Sequence, residues 1–285
     1  SLFQLFKQTI INFMVNAFDY FDVSPSVQLD IKWRREIKFY IPYEKIDGLR
    51  AALSKTLSPD PQMVDGFYLV NSVYYDTPDW EFYAAKKAGY QKRFKVRIRT
   101  YGEKLLTEKA VLEVKNRANN FVWKNKLWGA YDELSNFVSS SNLSAKLLQS
   151  GQELQQILKV VKVRTLQPKV LVKYKREAFF SNVNPDLRVT IDTNLFASAA
   201  NAAERMFASN KRDLLQQGAI LEVKFSGSYP NWLEKVLRAF QPELVSFSKY
   251  VEALHYQMRT KPANLSIADQ TKTQDGLLWF QHKKW

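Results

Sequence analysis

Residues 91 to 101 read QKRFKVRIRTY. Side chains on an extended strand alternate between faces, so Arg93, Lys95, Arg97 and Arg99 share one face while Phe94, Val96 and Ile98 share the other. A row of long cations suits a polyanion. The design returns in VLEVKNR, where Glu113, Lys115 and Arg117 alternate with Leu112 and Val114, and in ILEVKFS, where Glu222 and Lys224 alternate with Leu221, Val223 and Phe225. In LRVTID, Arg188, Thr190 and Asp192 oppose Val189 and Ile191, and an earlier strand sets Glu36 and Lys38 against Ile37 and Phe39. A solvated sheet face ordinarily mixes Ser, Thr, Gln and both signs of charge, whereas these faces concentrate cations with single carboxylates.

Closure of the sheet decides which face points inward. An eight-stranded barrel has little room inside, and side chains normally fill it. Filling it with like charges is prohibitively repulsive unless a polyanion and water occupy the bore. The expected fold is therefore α+β: a closed antiparallel β-barrel of about eight strands, cationic inside and covered by helices outside. The strand PKVLVKYKREAFF leaves its register open, because Lys173 and Lys175 lie on one face and Tyr174 and Arg176 on the other.

The elements that must position these residues follow from periodicity. Strands are expected at about 31–41, 68–76, 91–101, 109–117, 119–128, 168–181, 186–193, 218–226 and 245–257, and helices at 43–57, 80–87, 130–160, 202–217 and 230–240. Residues 2–21 place Phe3, Phe6, Ile10, Phe13, Met14, Ala17 and Phe21 at helical spacing, which predicts an amphipathic N-terminal helix. The chain divides into a helical extension (1–30), a tunnel-barrel domain (31–258) and a polar C-terminal tail (259–285).

Composition narrows the chemistry. Lys and Arg number 42 against 28 Asp and Glu, giving a formal charge of +14, so an acidic partner is expected. There is no Cys, which removes thiol chemistry, and the two histidines, His255 and His282, leave Ser/His/Asp triads and His-rich metal sites with almost nothing to draw on. A metal here must be a hard ion held by oxygen, Mn²⁺ or Mg²⁺. No stretch reaches the roughly 18 apolar residues of a membrane-spanning helix. With no Cys and no signal features, the expected location is cytoplasmic, with peripheral attachment at a membrane or a membrane-associated partner as the alternative. The chain starts at Ser1 rather than Met, as a piece of a longer protein does. No GxxxxGK[ST] loop is present, so phosphate binding falls to side chains rather than to backbone amides. Nucleic acid is the least favoured partner, because no nucleic-acid-binding motif appears and the basic residues alternate within strands.

The ordered set REIKFYIP, SVYYDTPDW, FKVRIRTY, LEVKNR, VKYKREAF, LRVTIDT, LEVKF and SFSKY resembles the VTC domain, the polyphosphate polymerase module of the vacuolar transporter chaperone complex and its bacterial relatives. That domain belongs to the triphosphate tunnel metalloenzymes, which include the CYTH-type triphosphatases. The resemblance runs from about residue 31 to 257. It implies that Arg97, Arg99, Lys115, Arg176 and Arg188 act on the transferred phosphate and that Lys38, Tyr174, Lys224 and Lys249 bind phosphates beside them. Among carboxylates, it implies Glu222 as the leading metal ligand, with Glu113 and Glu36 behind it. It also turns Tyr174 and Arg176 inward. The superfamily's ExExK strand has Arg34 here in place of its first Glu, which weighs against a carboxylate-rich, hydrolase-like site.

The implied activity is transfer of the γ-phosphate of ATP onto a growing inorganic polyphosphate, assisted by Mn²⁺ or Mg²⁺. Eight bore cations (Lys38, Arg97, Arg99, Lys115, Arg176, Arg188, Lys224 and Lys249) face three glutamates, which leaves charge for both a nucleotide and a second phosphate chain. Two alternatives stay open: a triphosphatase, with water as the attacking group, and a non-catalytic polyphosphate sensor or accessory subunit.

Overall fold

A strand with one apolar and one charged face must bury the apolar one, and helices carrying a single apolar stripe supply the cover. The computed structural model describes residues 35–103, 107–118, 121–140, 151–162, 164–200, 213–215 and 217–260. Among them, one antiparallel sheet contains β1 (Arg35–Pro42), β2 (Ser58–Pro59), β3 (Tyr68–Asp76), β4 (Lys92–Tyr101), β5 (Ala110–Ala118), β6 (Phe121–Gly129), β7 (Gln167–Phe180), β8 (Arg188–Ala199), β9 (Gly218–Phe225) and β10 (Glu243–Leu244). Eight of these are long, and β2 and β10 have two residues each. The hydrogen-bonded order is β10-β1-β9-β8-β7-β3-β4-β5-β6, with β2 beside the end of β7.

The described helices are α1 (Ile46–Leu53, preceded by a 3₁₀ turn at Tyr43–Lys45), α2 (Glu81–Lys87), α3 (Tyr131–Ser140), α4 (Gly151–Val161), α5 (Asn231–Phe240) and α6 (Lys249–Thr260). The N-terminal amphipathic helix, the C-terminal tail from residue 261 and most of the helix expected at 202–217 lie outside the described residues.

Two cores cover the outer face. Val96, Ile98, Leu112, Val114 and Leu127 pack under α2, α3 and α4 through Phe82, Leu134, Phe137, Leu154 and Ile157. On the other half, Val189, Ile191, Leu221 and Val223 pack under α1 and α5 through Leu49, Leu53, Leu233 and Leu237. The apolar residues of the alternating strands therefore point outward beneath helices, and their charged neighbours point inward.

A third core lies inside. Val70, Tyr74, Val170, Val172, Tyr174, Leu195 and Ile220 meet Tyr250, Ala253 and Leu254 of α6. This corrects the strand expected at 245–257. The run VSFSKYVEALHY contains strand-like alternation in Val245, Phe247 and Lys249, but Tyr250, Ala253 and Leu254 recur at helical spacing and win because they fill the apolar half of the barrel interior. Ser248, whose Oγ accepts from the Val251 amide at 3.5 Å, is the N-cap signal that marks the helix start.

Asp76 locks α6 to the wall. Its Oδ1 accepts from the amides of Thr77 (2.8 Å) and Phe82 (2.9 Å), and its Oδ2 accepts from the Tyr83 amide (3.0 Å) and from the Tyr250 hydroxyl (2.5 Å). One buried carboxylate thus caps α2 and anchors α6 together.

Backbone hydrogen bonds do not close the sheet among the described residues: β6 ends the ladder on one side, and the edge of β1 takes only β10 and the Val245 amide, which donates to the Lys38 carbonyl at 2.9 Å. Side chains cross the seam instead. Lys115 of β5 lies 3.5 Å from Glu36 of β1, and Lys95 of β4 donates to Ser248 Oγ at 2.8 Å. The sheet curls into a tunnel whose last contacts are ionic and polar.

Replacing Asp76 with Ala should lower unfolding free energy by about 3–5 kcal/mol, since it strands several buried donors at about 1–3 kcal/mol each. Urea denaturation checks this, and Tyr250→Phe should cost only about 1–2 kcal/mol.

Candidate active site

Cross-strand register places the candidate side chains on one inner face. Arg97 stands opposite Glu113, Lys38 opposite Glu222, Glu36 opposite Lys224, Arg188 opposite Lys224, and Arg176 opposite Asp192. The register left open in β7 is settled by geometry: Tyr174 and Arg176 point inward, while Lys173 binds the exposed Glu103 at 3.0 Å and Lys175 lies over Phe67.

Each inner carboxylate is shared by two cations. Glu113 Oε2 accepts from Arg97 Nε at 2.6 Å and lies 3.8 Å from Arg99 Nη1. Asp192 accepts a bidentate pair from Arg176 at 2.6 and 2.7 Å and a further bond from Lys249 Nζ at 2.6 Å. Glu222 is in contact with Lys224 and lies 3.9 Å from Lys38, and Glu36 lies 2.8 Å from Lys38 and 3.5 Å from Lys115. Tyrosines complete the wall: Tyr174 accepts from Arg99 Nη2 at 3.2 Å and its ring carries Lys249 at 4.8 Å, and Tyr74 accepts from Arg97 Nη1 at 3.1 Å. Arg188 Nη2 donates to Tyr68 at 2.8 Å.

The protonation pattern follows from this crowding. Burial and Glu222 oppose ionisation of Glu36, but Lys38, Lys115 and Lys224 override them and hold it at about 2. Burial likewise opposes ionisation of Asp192, and Arg176 and Lys249 bring it to about 2. Glu113 and Glu222 are also held well below the usual carboxylate range, against burial, by Arg97 and Arg99 and by Lys224 and Lys38 respectively. Where carboxylates run out, the lysines yield. Burial, then Lys115, Lys38, Lys86 and Arg97, push Lys95 well below its ordinary value. Burial among the inner-face cations and the charge of Arg97 push Lys124 down to about 7, although the residue is exposed to solvent.

Three of these groups were not among the sequence candidates. Lys95 and Asp192 already stood on the right face by alternation, and VWKNKLW carries Lys124 and Lys126 in the same pattern. Lys249, expected on a strand, is the first residue of α6, and its ammonium still reaches the bore. Two inner polar atoms, Arg188 Nε and Thr190 Oγ1, are buried without a hydrogen-bond partner among the described residues.

The three glutamates do not converge into one cage. No group of three or more His, Asp or Glu that could hold a metal occurs among the described residues. Glu222 and Glu36 do flank the same Lys38 ammonium. That fits a hard cation of the Mg²⁺ type, which is usually held by one or two carboxylates together with substrate phosphates. Glu113 is taken up by Arg97 and Arg99.

The family model of the VTC domain matches residues 33–257, most of the chain. The chain belongs to the VTC domain family. Among solved structures it is similar to a Bacillus halodurans protein solved as a candidate adenylate cyclase, at TM-score 0.46 and 15% identity over 76% of this chain and 94% of that one. It is also similar to the PH1819 protein of Pyrococcus horikoshii, at TM-score 0.41 and 13% identity over 80% of this chain and 99% of that one. No curated protein sequence matches. With its cationic inner face, this VTC domain is a phosphate- or nucleotide-binding protein of tunnel fold. No helix among its described residues is long and apolar enough to cross a membrane.

Asp192→Asn should leave Arg176 and Lys249 facing each other across a neutral amide and cost about 3–5 kcal/mol. In the parent VTC domain the folded Asp192 titrates at about 2 against an ordinary 3.8. Its stabilisation is thus complete above about pH 4 and disappears as pH falls through 2. Thermal melts of the two proteins from pH 6 to pH 2 should converge toward the acid end.

Proposed function

We propose that this VTC domain is a polyphosphate polymerase that moves the γ-phosphoryl group of ATP onto the end of an inorganic polyphosphate. One observation carries the reading: the cations of the enclosed inner face exceed its carboxylates, and burial together with Lys115, Lys38, Lys86 and Arg97 drives Lys95 well below its ordinary ionisation range. A bound polyanion removes that penalty.

Phosphoryl transfer needs positioning and charge neutralisation more than covalent participation by the protein. Arg97 and Arg99, held by Glu113, Tyr74, Ser72 and Tyr174, present fixed donors to the transferring group. Arg176, Arg188 and Lys115 surround it, and Lys38, Tyr174, Lys224 and Lys249 grip the flanking phosphates. A terminal oxygen of the polyphosphate attacks the γ-phosphorus in line. The new P–O bond forms as the bond to the β,γ-bridging oxygen breaks, and ADP leaves with that electron pair. Nucleophile and leaving group are both phosphate oxyanions, so no proton has to move. When bound at Glu222 and Glu36, Mg²⁺ or Mn²⁺ would supply further neutralisation of phosphate oxygens.

Hydrolysis by water is the second reading, and it would need a base. Glu36 at about 2 and the still more depressed Glu113 and Glu222 are weak bases, which disfavours it. A binding-only sensor would hold polyphosphate and leave ATP intact.

Incubation with ATP and Mn²⁺ followed by gel electrophoresis should give a ladder of long chains. Orthophosphate alone would identify a triphosphatase, and unchanged ATP a sensor. Arg97→Ala should lower chain synthesis about 10²-fold or more, the usual loss when one preorganised donor is removed. Polyphosphate affinity should weaken as pH rises through 7, because Lys124 then enters the reaction neutral and binding must take up its proton. Calorimetry in buffers of different ionisation enthalpy reads that uptake directly.

A further inference from the structure

Buried polar atoms in folded proteins are nearly all hydrogen-bonded, so each exception calls for a reason. Two exceptions among the described residues are neighbours on the inner wall: Arg188 Nε and Thr190 Oγ1. They stand two residues apart on β8, where alternation puts both side chains on the face of Asp192, and they do not bond to each other.

The wall around Thr190 has no acceptor to spare. Glu222 is directly opposite on β9, but its carboxylate is in contact with Lys224 and lies 3.9 Å from Lys38. Asp192, the next inward residue of β8, accepts from Arg176 and Lys249. On the other flank the register sets Ala178 of β7 against Thr190. Arg188 is held in place, with Nη2 donating to Tyr68 at 2.8 Å and the guanidinium over Phe180 at 4.7 Å, and its Nε is left over.

An arginine Nε can only donate, and the Thr190 hydroxyl beside it brings a second donor, so an oxygen acceptor from outside the wall satisfies both. Two residues along a strand span about 6.6 Å, and an oxygen that accepts from one O–H and one N–H bridges about 5.6 Å. The pair thus fits one phosphate group. Thr190 is 1% exposed, and a valine there would have the same shape with no hydroxyl to strand, so the empty wall gains nothing from threonine.

We propose that Thr190 is a phosphate-binding residue, whose hydroxyl and Arg188 Nε together hold one phosphate group of the bound polyanion beside Glu222. The inference rests on the bore being a phosphate site, and it adds a neutral donor to a lining otherwise made of ions. Such a donor grips an anion without adding like charge to crowded cations.

The parent protein, Thr190→Val and Thr190→Ser are compared by thermal melting without ligand and by calorimetric titration with inorganic tripolyphosphate, in Mn²⁺ and in EDTA. Thr190→Val is expected to melt at or above the parent, because it removes an unpaired buried hydroxyl. It should bind tripolyphosphate about 10- to 100-fold more weakly in both buffers, the range of one hydrogen bond to a charged group. Thr190→Ser keeps the donor and should bind within about threefold of the parent. Binding lost while stability is kept is a combination that a purely structural hydroxyl does not give. If Thr190→Val binds as tightly as the parent, the contact is overturned and the phosphate-binding bore stands. A lower melting point for Thr190→Val would also overturn it, by showing the hydroxyl already satisfied in the free protein. So would a loss shared equally by Thr190→Ser, which assigns the effect to the methyl group, or a loss confined to Mn²⁺, which assigns the hydroxyl to the metal. Failure of the parent to bind tripolyphosphate in either buffer removes the bore reading and this inference with it.

Discussion

Positive charge enclosed by a curled sheet is the constraint on which the rest of this VTC domain depends. Two unit charges 4 Å apart repel by about 4 kcal/mol at an effective dielectric constant near 20, so an inner wall of lysines and arginines cannot be left uncompensated. The chain meets the difficulty with few carboxylates used efficiently. Glu113 sits between Arg97 and Arg99, Asp192 between Arg176 and Lys249, Glu222 between Lys38 and Lys224, and Glu36 between Lys38 and Lys115. Each carboxylate orients two cations, with Lys38 shared by Glu222 and Glu36, and the lining as a whole keeps net positive charge.

That arrangement separates positioning from binding. A guanidinium locked by a bidentate carboxylate keeps its direction before any ligand arrives, which is the preorganisation that phosphate recognition and transfer require. The seam shows the same economy. Where β1 and β5 face each other without a backbone ladder, Glu36 and Lys115 make the connection, so the ionic lining also holds the tunnel together.

The apolar half of the interior solves a second problem. Inward faces of β3, β7 and β8 turn to Val, Leu and Tyr, and α6 enters to bury them. Asp76 ties that helix to α2, and Tyr250 stacks on Tyr74 with ring centroids 5.2 Å apart. Because Tyr74 also accepts from Arg97, the packing of the helix and the placement of a bore arginine share one side chain. The tunnel is thus divided between a dry region that carries stability and a wet one that carries chemistry.

Strict two-residue alternation made the sheet, its inward cations and its helix-covered outer face readable from sequence, because the facing of side chains along a strand is a local property of the backbone. It placed Arg97, Arg99, Lys115, Arg188, Glu222 and Lys38 on one face with no knowledge of strand order. It was silent or misleading where a residue's place depends on distant partners. The register of Tyr174 and Arg176 was undecided by alternation alone, α6 read as a strand, and the sharing of Asp192 by Arg176 and Lys249 could not be seen at all. Those features depend on groups 16 and 57 residues away from Asp192 in sequence, brought together only when the sheet curls. Long-range pairing, set by how apolar surface is buried overall, decided which charges meet and which helix fills the tunnel.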